Sequence, residues 1–140
     1  VVIGASNPHA DVLKKAVEQS RIPIRLIQNT RNMPELMAWA DVAISSAGTT
    51  VWELAFMGVP TIAGLIAPIE EFLVNGLEKY GLFVNIGWFN RLYVDQLVNI
   101  LNELMRNERK RRDMIVLSQH LVDGAGCARI LEYLSIKESK

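Results

Sequence analysis

Over residues 1–86, short β-branched apolar runs alternate with stretches of helical periodicity, and this alternation limits the fold more than any other feature. It specifies βαβ units, which build a parallel sheet. Strands are expected near Val1–Ile3, Ile24–Ile27, Val42–Ser45, Thr61–Ile66 and Phe83–Ile86, with helices over Ala10–Gln19, Pro34–Ala40, Thr50–Met57 and Glu70–Tyr80. Pro34 suits a first helical turn, where its missing N–H costs nothing. Gly58-Val59-Pro60 ends one helix and admits the next strand, because glycine accepts a left-handed cap and proline cannot continue a helix.

Beyond this region the pattern is helical. Val94, Leu97, Val98, Leu101, Leu104 and Met105 recur at three and four residues, as do Met114, Leu117, Leu121 and Val122. Asp123-Gly124-Ala125-Gly126 breaks the pattern before a last helix holding Ile130, Leu131 and Leu134, and Glu138 to Lys140 reads as a frayed end. The expectation is an α/β fold: a Rossmann-like parallel sheet of about five strands sandwiched by helices, with a helical C-terminal third that covers the sheet.

With 140 residues, half of them apolar and 21% charged, the chain has the balance of one globular domain, not of a disordered segment. Fifteen basic and fifteen acidic residues cancel, so no overall field draws it to nucleic acid or an anionic membrane. Apolar runs such as Thr61–Ile69 are too short to span a bilayer. The single cysteine, Cys127, has no partner for an internal disulfide and no metal-ligand spacing around it, which fits a reducing cytoplasm. No cofactor is indicated. Val1-Val2-Ile3-Gly4 is already strand-like and lacks an initiator methionine, as if cut from something longer.

Ligands of open α/β sheets bind at the carboxyl ends of strands, where a turn of small residues leads into a helix. Two turns qualify. Gly4-Ala5-Ser6-Asn7-Pro8-His9 lacks G-x-G-x-x-G spacing, and the following strand ends Leu26-Ile27-Gln28-Asn29 without the acidic residue that grips an NAD ribose, so nicotinamide binding is disfavoured. His9 there suits a polar surface or cap position. Ser45-Ser46-Ala47-Gly48-Thr49-Thr50 is the stronger anion seat: small side chains let backbone approach a ligand, and N–H groups face it at the helix start. It lacks the lysine of a P-loop. Glu53, three residues after Thr50, fits either a capping box or a carboxylate accepting hydrogen bonds from a ribose diol. Trp52 and Phe56 read as core.

Three segments together, Asn32-Met33-Pro34-Glu35-Leu36-Met37-Ala38-Trp39-Ala40-Asp41-Val42, the turn from Ser45 to Glu53, and Gly58-Val59-Pro60-Thr61, resemble the C-terminal, nucleotide-binding half of GT-B enzymes of the MurG type. Within these the chain is most similar to the PseG/SpsG family, UDP-sugar hydrolases of pseudaminic acid synthesis and their spore-coat polysaccharide relatives. Gly4 to His9 and Val122 to Ile130 match that subgroup too. The resemblance implies a UDP-sugar or UDP ligand, with Ala47, Gly48, Thr49 and Thr50 at the diphosphate, Glu53 on the ribose and backbone around Gln28 and Asn29 at the base. Where the family carries an Asn-Gln or Gln-Gln pair near the sugar, this chain reads Ala67-Pro68-Ile69-Glu70-Glu71, which makes Glu70 and Glu71 sugar-proximal. The same two residues suit a helix's first turn.

The resemblance also implies that residues 1–140 are a single domain equal to the C-terminal half of a two-domain protein. The N-terminal domain, with the catalytic base, would then be a partner from the parent chain, and this portion alone is expected to be inactive. A central strand missing with it would leave open edges that favour a homo-oligomer. The expected function is the donor-binding domain of a nucleotide-sugar hydrolase or glycosyltransferase of surface-polysaccharide biosynthesis. The alternative is a non-catalytic α/β binding module that has lost its sugar contacts. Arg106, Arg109, Lys110, Arg111 and Arg112 form a basic cluster, but no aromatic residues interleave with it, so a solvated helix junction is expected in place of a nucleic-acid patch.

Overall fold

A computed structural model describes residues 1–138, with side chains described through residue 135. The backbone divides into two compact units, Val1–Leu36 and Met37–Lys140.

In the first unit, β1 (Val2–Ile3) pairs in parallel with β2 (Ile27–Gln28), with α1 (Ala10–Glu18) in the connection. Ile3 is its buried apolar residue, at 7% exposure. Two residues per strand make a minimal ladder, extended by the amides of Ile27 and Asn29, which donate to the carbonyls of Val1 and Ile3. The helix α2 (Met33–Trp39) runs across the unit boundary.

The second unit holds β3 (Ala43–Ser46), α3 (Thr50–Phe56), β4 (Thr61–Leu65), α4 (Ile69–Leu77), β5 (Phe83–Trp88), α5 (Val94–Arg106), α6 (Glu108–Leu121) and α7 (Gly126–Glu138). Its sheet is parallel in the order β3-β4-β5, so β4 is central and buried at every position. The five expected strands and the helical last third are present; the strands are hydrogen-bonded as a ladder of two and a ladder of three. β5 runs past its expected end at Ile86 because a bulge opposite Ala63–Leu65 inserts Gly87, at φ 68°, and carries the pairing on to Trp88.

Side chains of β4 alternate between two apolar layers. On one face Ala63 and Leu65 join Val51, Ala55, Val74, Leu77 and Phe83, so α3 and α4 cover it. On the other, Ile62 meets Leu104 and Met114, which brings α5 and α6 over the sheet as the apolar spacing implied. Thr61 is buried too, and its hydroxyl donates to the Val59 carbonyl at 2.8 Å. Phe56 departs from expectation: it is half exposed, and the covered part of its ring lies over Gly124, where a Cβ would come within 2.8 Å of it.

The basic cluster is a helix junction. Lys110 pairs with Glu103 at 2.9 Å, Arg112 with Glu108, and Arg111 donates to the carbonyls of Leu104 and Met105 at the end of α5. The next corner is pinned by Asp123, whose Oδ1 accepts from the Ala125 amide while both carboxylate oxygens accept from the Arg129 guanidinium at 2.7 and 3.0 Å. Arg129 above all holds the Asp123 carboxyl well below the usual carboxylate range, and the Ala125 amide adds to this. Glu138 closes α7; residues 139 and 140 of the expected frayed end lie outside the described residues. No helix among the described residues is long and apolar enough to cross a membrane.

Candidate functional site

The two turns singled out from the sequence are held by different bonds. Between Gly4 and Ala10, Asn7 donates to the Gly4 carbonyl at 3.3 Å, His9 to the Asn7 side-chain oxygen at 2.9 Å, and Ala10 to the Asn7 carbonyl at 3.3 Å, while the amides of Ala5 and Ser6 have no acceptor among the described residues. His9 is an exposed residue at the start of α1, without a side-chain cap. The turn is also braced by Gln28, whose side-chain amide donates to the Ala5 carbonyl at 3.1 Å.

The turn between β3 and α3 leads directly into its helix. The Ala47 amide continues the ladder by donating to the Gly64 carbonyl at 2.8 Å, so this fully buried residue offers a ligand no N–H. Val51 and Trp52 donate back to the carbonyls of Gly48 and Thr49. The amides of Gly48, Thr49 and Thr50 have no acceptor among the described residues. Three consecutive free donors lie at the carboxyl end of a parallel strand, on a turn with a glycine at its bend.

The spacing of Thr50 and Glu53 does not form a capping box. Helix α3 begins at Thr50, its cap is Thr49 in helical conformation, and no side-chain cap hydrogen bond is present. Glu53 is exposed in the first turn, free of the role that would have explained it structurally. Trp52 is partly buried against the α3–α4 layer.

The two sugar-proximal candidates have defined partners. Both lie in the first turn of α4, as the dipole favours. Glu70, 8% exposed, turns back so that Oε2 accepts from the amides of Ile66 at 2.7 Å and Ala67 at 3.2 Å. The turn entering α4 is thus filled by the chain's own carboxylate. A Cβ placed on Gly48 would lie 3.4 Å from Glu70 Oε1 and 3.7 Å from the Ser46 hydroxyl, so the structure brings Glu70 and Ser46 to the open side of Gly48. Ser46 was named with the turn, but nothing in its spacing marked it as lining the glycine. Glu71 is exposed and accepts from the Trp88 indole N–H at 3.2 Å.

Gln28 and Asn29 belong to the first unit. Asn29 holds a left-handed φ of 55°, and its amide is engaged with Ile3. Since Ile27 and Asn29 both turn toward β1, the Gln28 N–H and C=O point to the unpaired edge of β2, a donor beside an acceptor.

Residues 1–67 match the glycosyltransferase family 28 C-terminal domain, a span that takes in Gln28, Asn29 and the whole turn from Ala47 to Glu53. The chain is 23% identical over 133 residues to the spore coat polysaccharide biosynthesis protein SpsG of Bacillus subtilis (strain 168), covering 95% of this chain and 39% of that protein. It is 29% identical over 99 residues to the UDP-N-acetylglucosamine--N-acetylmuramyl-(pentapeptide) pyrophosphoryl-undecaprenol N-acetylglucosamine transferase of Sulfurimonas denitrificans (strain ATCC 33889 / DSM 1251), covering 68% of this chain and 28% of that enzyme. The chain therefore spans well under half the length of either relative. The resemblance that its motifs carried is borne out on the MurG and SpsG sides: in sequence the chain is similar to the C-terminal domain of GT-B proteins of that kind.

Proposed function

We propose that the turn from Gly48 to Thr50 seats the diphosphate of a nucleotide sugar, and that this chain is the donor-binding domain of a nucleotide-sugar hydrolase or glycosyltransferase of surface-polysaccharide biosynthesis. The observation that carries the reading is the row of three unclaimed amides on the turn after β3, at the start of α3 and within the residues that the family match covers. Backbone N–H groups at a helix start suit an anion. Glu53, exposed one turn on, supplies an acceptor pair for a ribose diol. The family match covers these residues, and the Sulfurimonas relative is named for a UDP-sugar donor.

In either reaction this domain would act on the leaving group. Amides fixed before reaction stabilise the charge that gathers on UDP as the glycosidic bond breaks, with no reorganisation at that moment. The base that activates water or an acceptor hydroxyl would come from outside these residues.

Titration with UDP, followed by the amide resonances of residues 47–53, tests the reading. Gly48, Thr49 and Thr50 should shift most, with saturation below about 1 mM. Silence at millimolar UDP would overturn it and favour a binding module without nucleotide.

A further inference from the structure

We propose that Glu70 makes this seat select by charge, so that a nucleoside diphosphate esterified to a sugar is held more tightly than the free nucleoside diphosphate. The inference rests on the nucleotide-sugar reading above. Glu70 is a buried carboxylate with no Lys or Arg in ion-pair reach among the described residues. Its compensation is the pair of amides of Ile66 and Ala67, both on Oε2. These bonds fix the carboxylate and leave Oε1 beside Gly48, at the 3.4 Å approach described above. A negative charge therefore stands at the edge of a row of anion-binding amides.

The two ligands differ in charge at the phosphate remote from the nucleoside, and the proposal sets that end toward Glu70. A terminal phosphate titrates near pH 6 and carries almost two charges in neutral solution, whereas the same phosphate esterified to a sugar carries one. Amides alone would favour the more charged ligand. A fixed carboxylate reverses the order, because it repels the extra charge of the free diphosphate, while an acceptor-only oxygen can receive a hydrogen bond from a sugar hydroxyl. The functional consequence is a domain that releases its nucleotide product more readily than its donor.

Calorimetric titration with UDP and with UDP-glucose, at a pH about 1.5 above the phosphate pKa, tests this on the wild-type chain, Glu70→Gln, Glu70→Ala and, as a control on the exposed surface of α7, Glu132→Gln. Wild type should bind UDP-glucose at least about threefold more tightly than UDP. Glu70→Gln should tighten UDP about tenfold and UDP-glucose no more than about threefold, reversing the order. Glu70→Ala should move the ratio the same way, and Glu132→Gln should leave it unchanged. The wild-type ratio needs no variant to fold. A wild-type preference for UDP, or a ratio unmoved by loss of the Glu70 charge, overturns the inference while the seat stands. Binding of neither ligand overturns the nucleotide-sugar reading and this inference with it.

Discussion

Glu53 stands in the first turn of α3 with its carboxylate in solvent and no backbone amide on it. Glu53→Ala should therefore change the unfolding free energy by less than about 0.5 kcal/mol, in contrast to the roughly 1 kcal/mol expected of a lost cap. UDP affinity should fall about tenfold if the carboxylate accepts from ribose. Urea unfolding and a UDP titration on the same variant check both, and a stability loss without an affinity loss would return Glu53 to a capping role. Gly64 is the complementary case. A Cβ there would lie 2.7 Å from the Phe89 ring, so Gly64→Ala should destabilise by about 1–3 kcal/mol through overpacking. An unchanged urea midpoint would show that Phe89 moves aside freely. The Gly64 carbonyl also receives the Ala47 amide, which couples this position to the seat. Spacing made the turn legible but not its details. Threonines at 49 and 50 both suit a helix start, and which one caps depends on how β3 delivers the chain. That Glu70 is buried beside Gly48 depends on two turns meeting across β3 and β4, which no local pattern encodes.

At the scale of elements, β-branched runs located all five strands to within a few residues, because side-chain alternation follows from the local sequence. The split into ladders of two and three was not legible, since apolar runs do not name their partners. The bulge at Gly87 was equally hidden, since one extra residue opposite Ala63–Leu65 is a matter of register with the partner strand and not of local pattern. Asp123 and Arg129 supply a testable joint. The carboxyl of Asp123 is held below its ordinary value, so the bridge contributes fully above the unfolded value of 3.8 and is lost as acidity rises below it. Asp123→Asn should speed amide exchange in the first turns of α7 at neutral pH, and the difference from wild type should close as the pH falls below about 4. A difference that persists in acid would assign the effect to the loop and not to the ion pair.

Taken as a whole molecule, the chain concentrates its burial in one unit. Met37–Lys140 contains both apolar layers, whereas in Val1–Leu36 the buried apolar residue is Ile3, itself part of a four-residue ladder. Native-state hydrogen exchange should then give two classes of amide. Those of Ile62 and Ala63 should exchange only through global unfolding, and those of Ile27 and Asn29 through local opening, at least about 100-fold faster. Equal protection in the two ladders would show that the first unit opens only together with the second. The central strand β4 has a neighbour on either side and an apolar layer on either face, so it has no free margin from which to peel. Loss of the seat on heating should for that reason be abrupt: the turn after β3 hangs on the Gly64 carbonyl, and grip on a ligand would persist nearly undiminished until the temperature at which the sheet itself gives way.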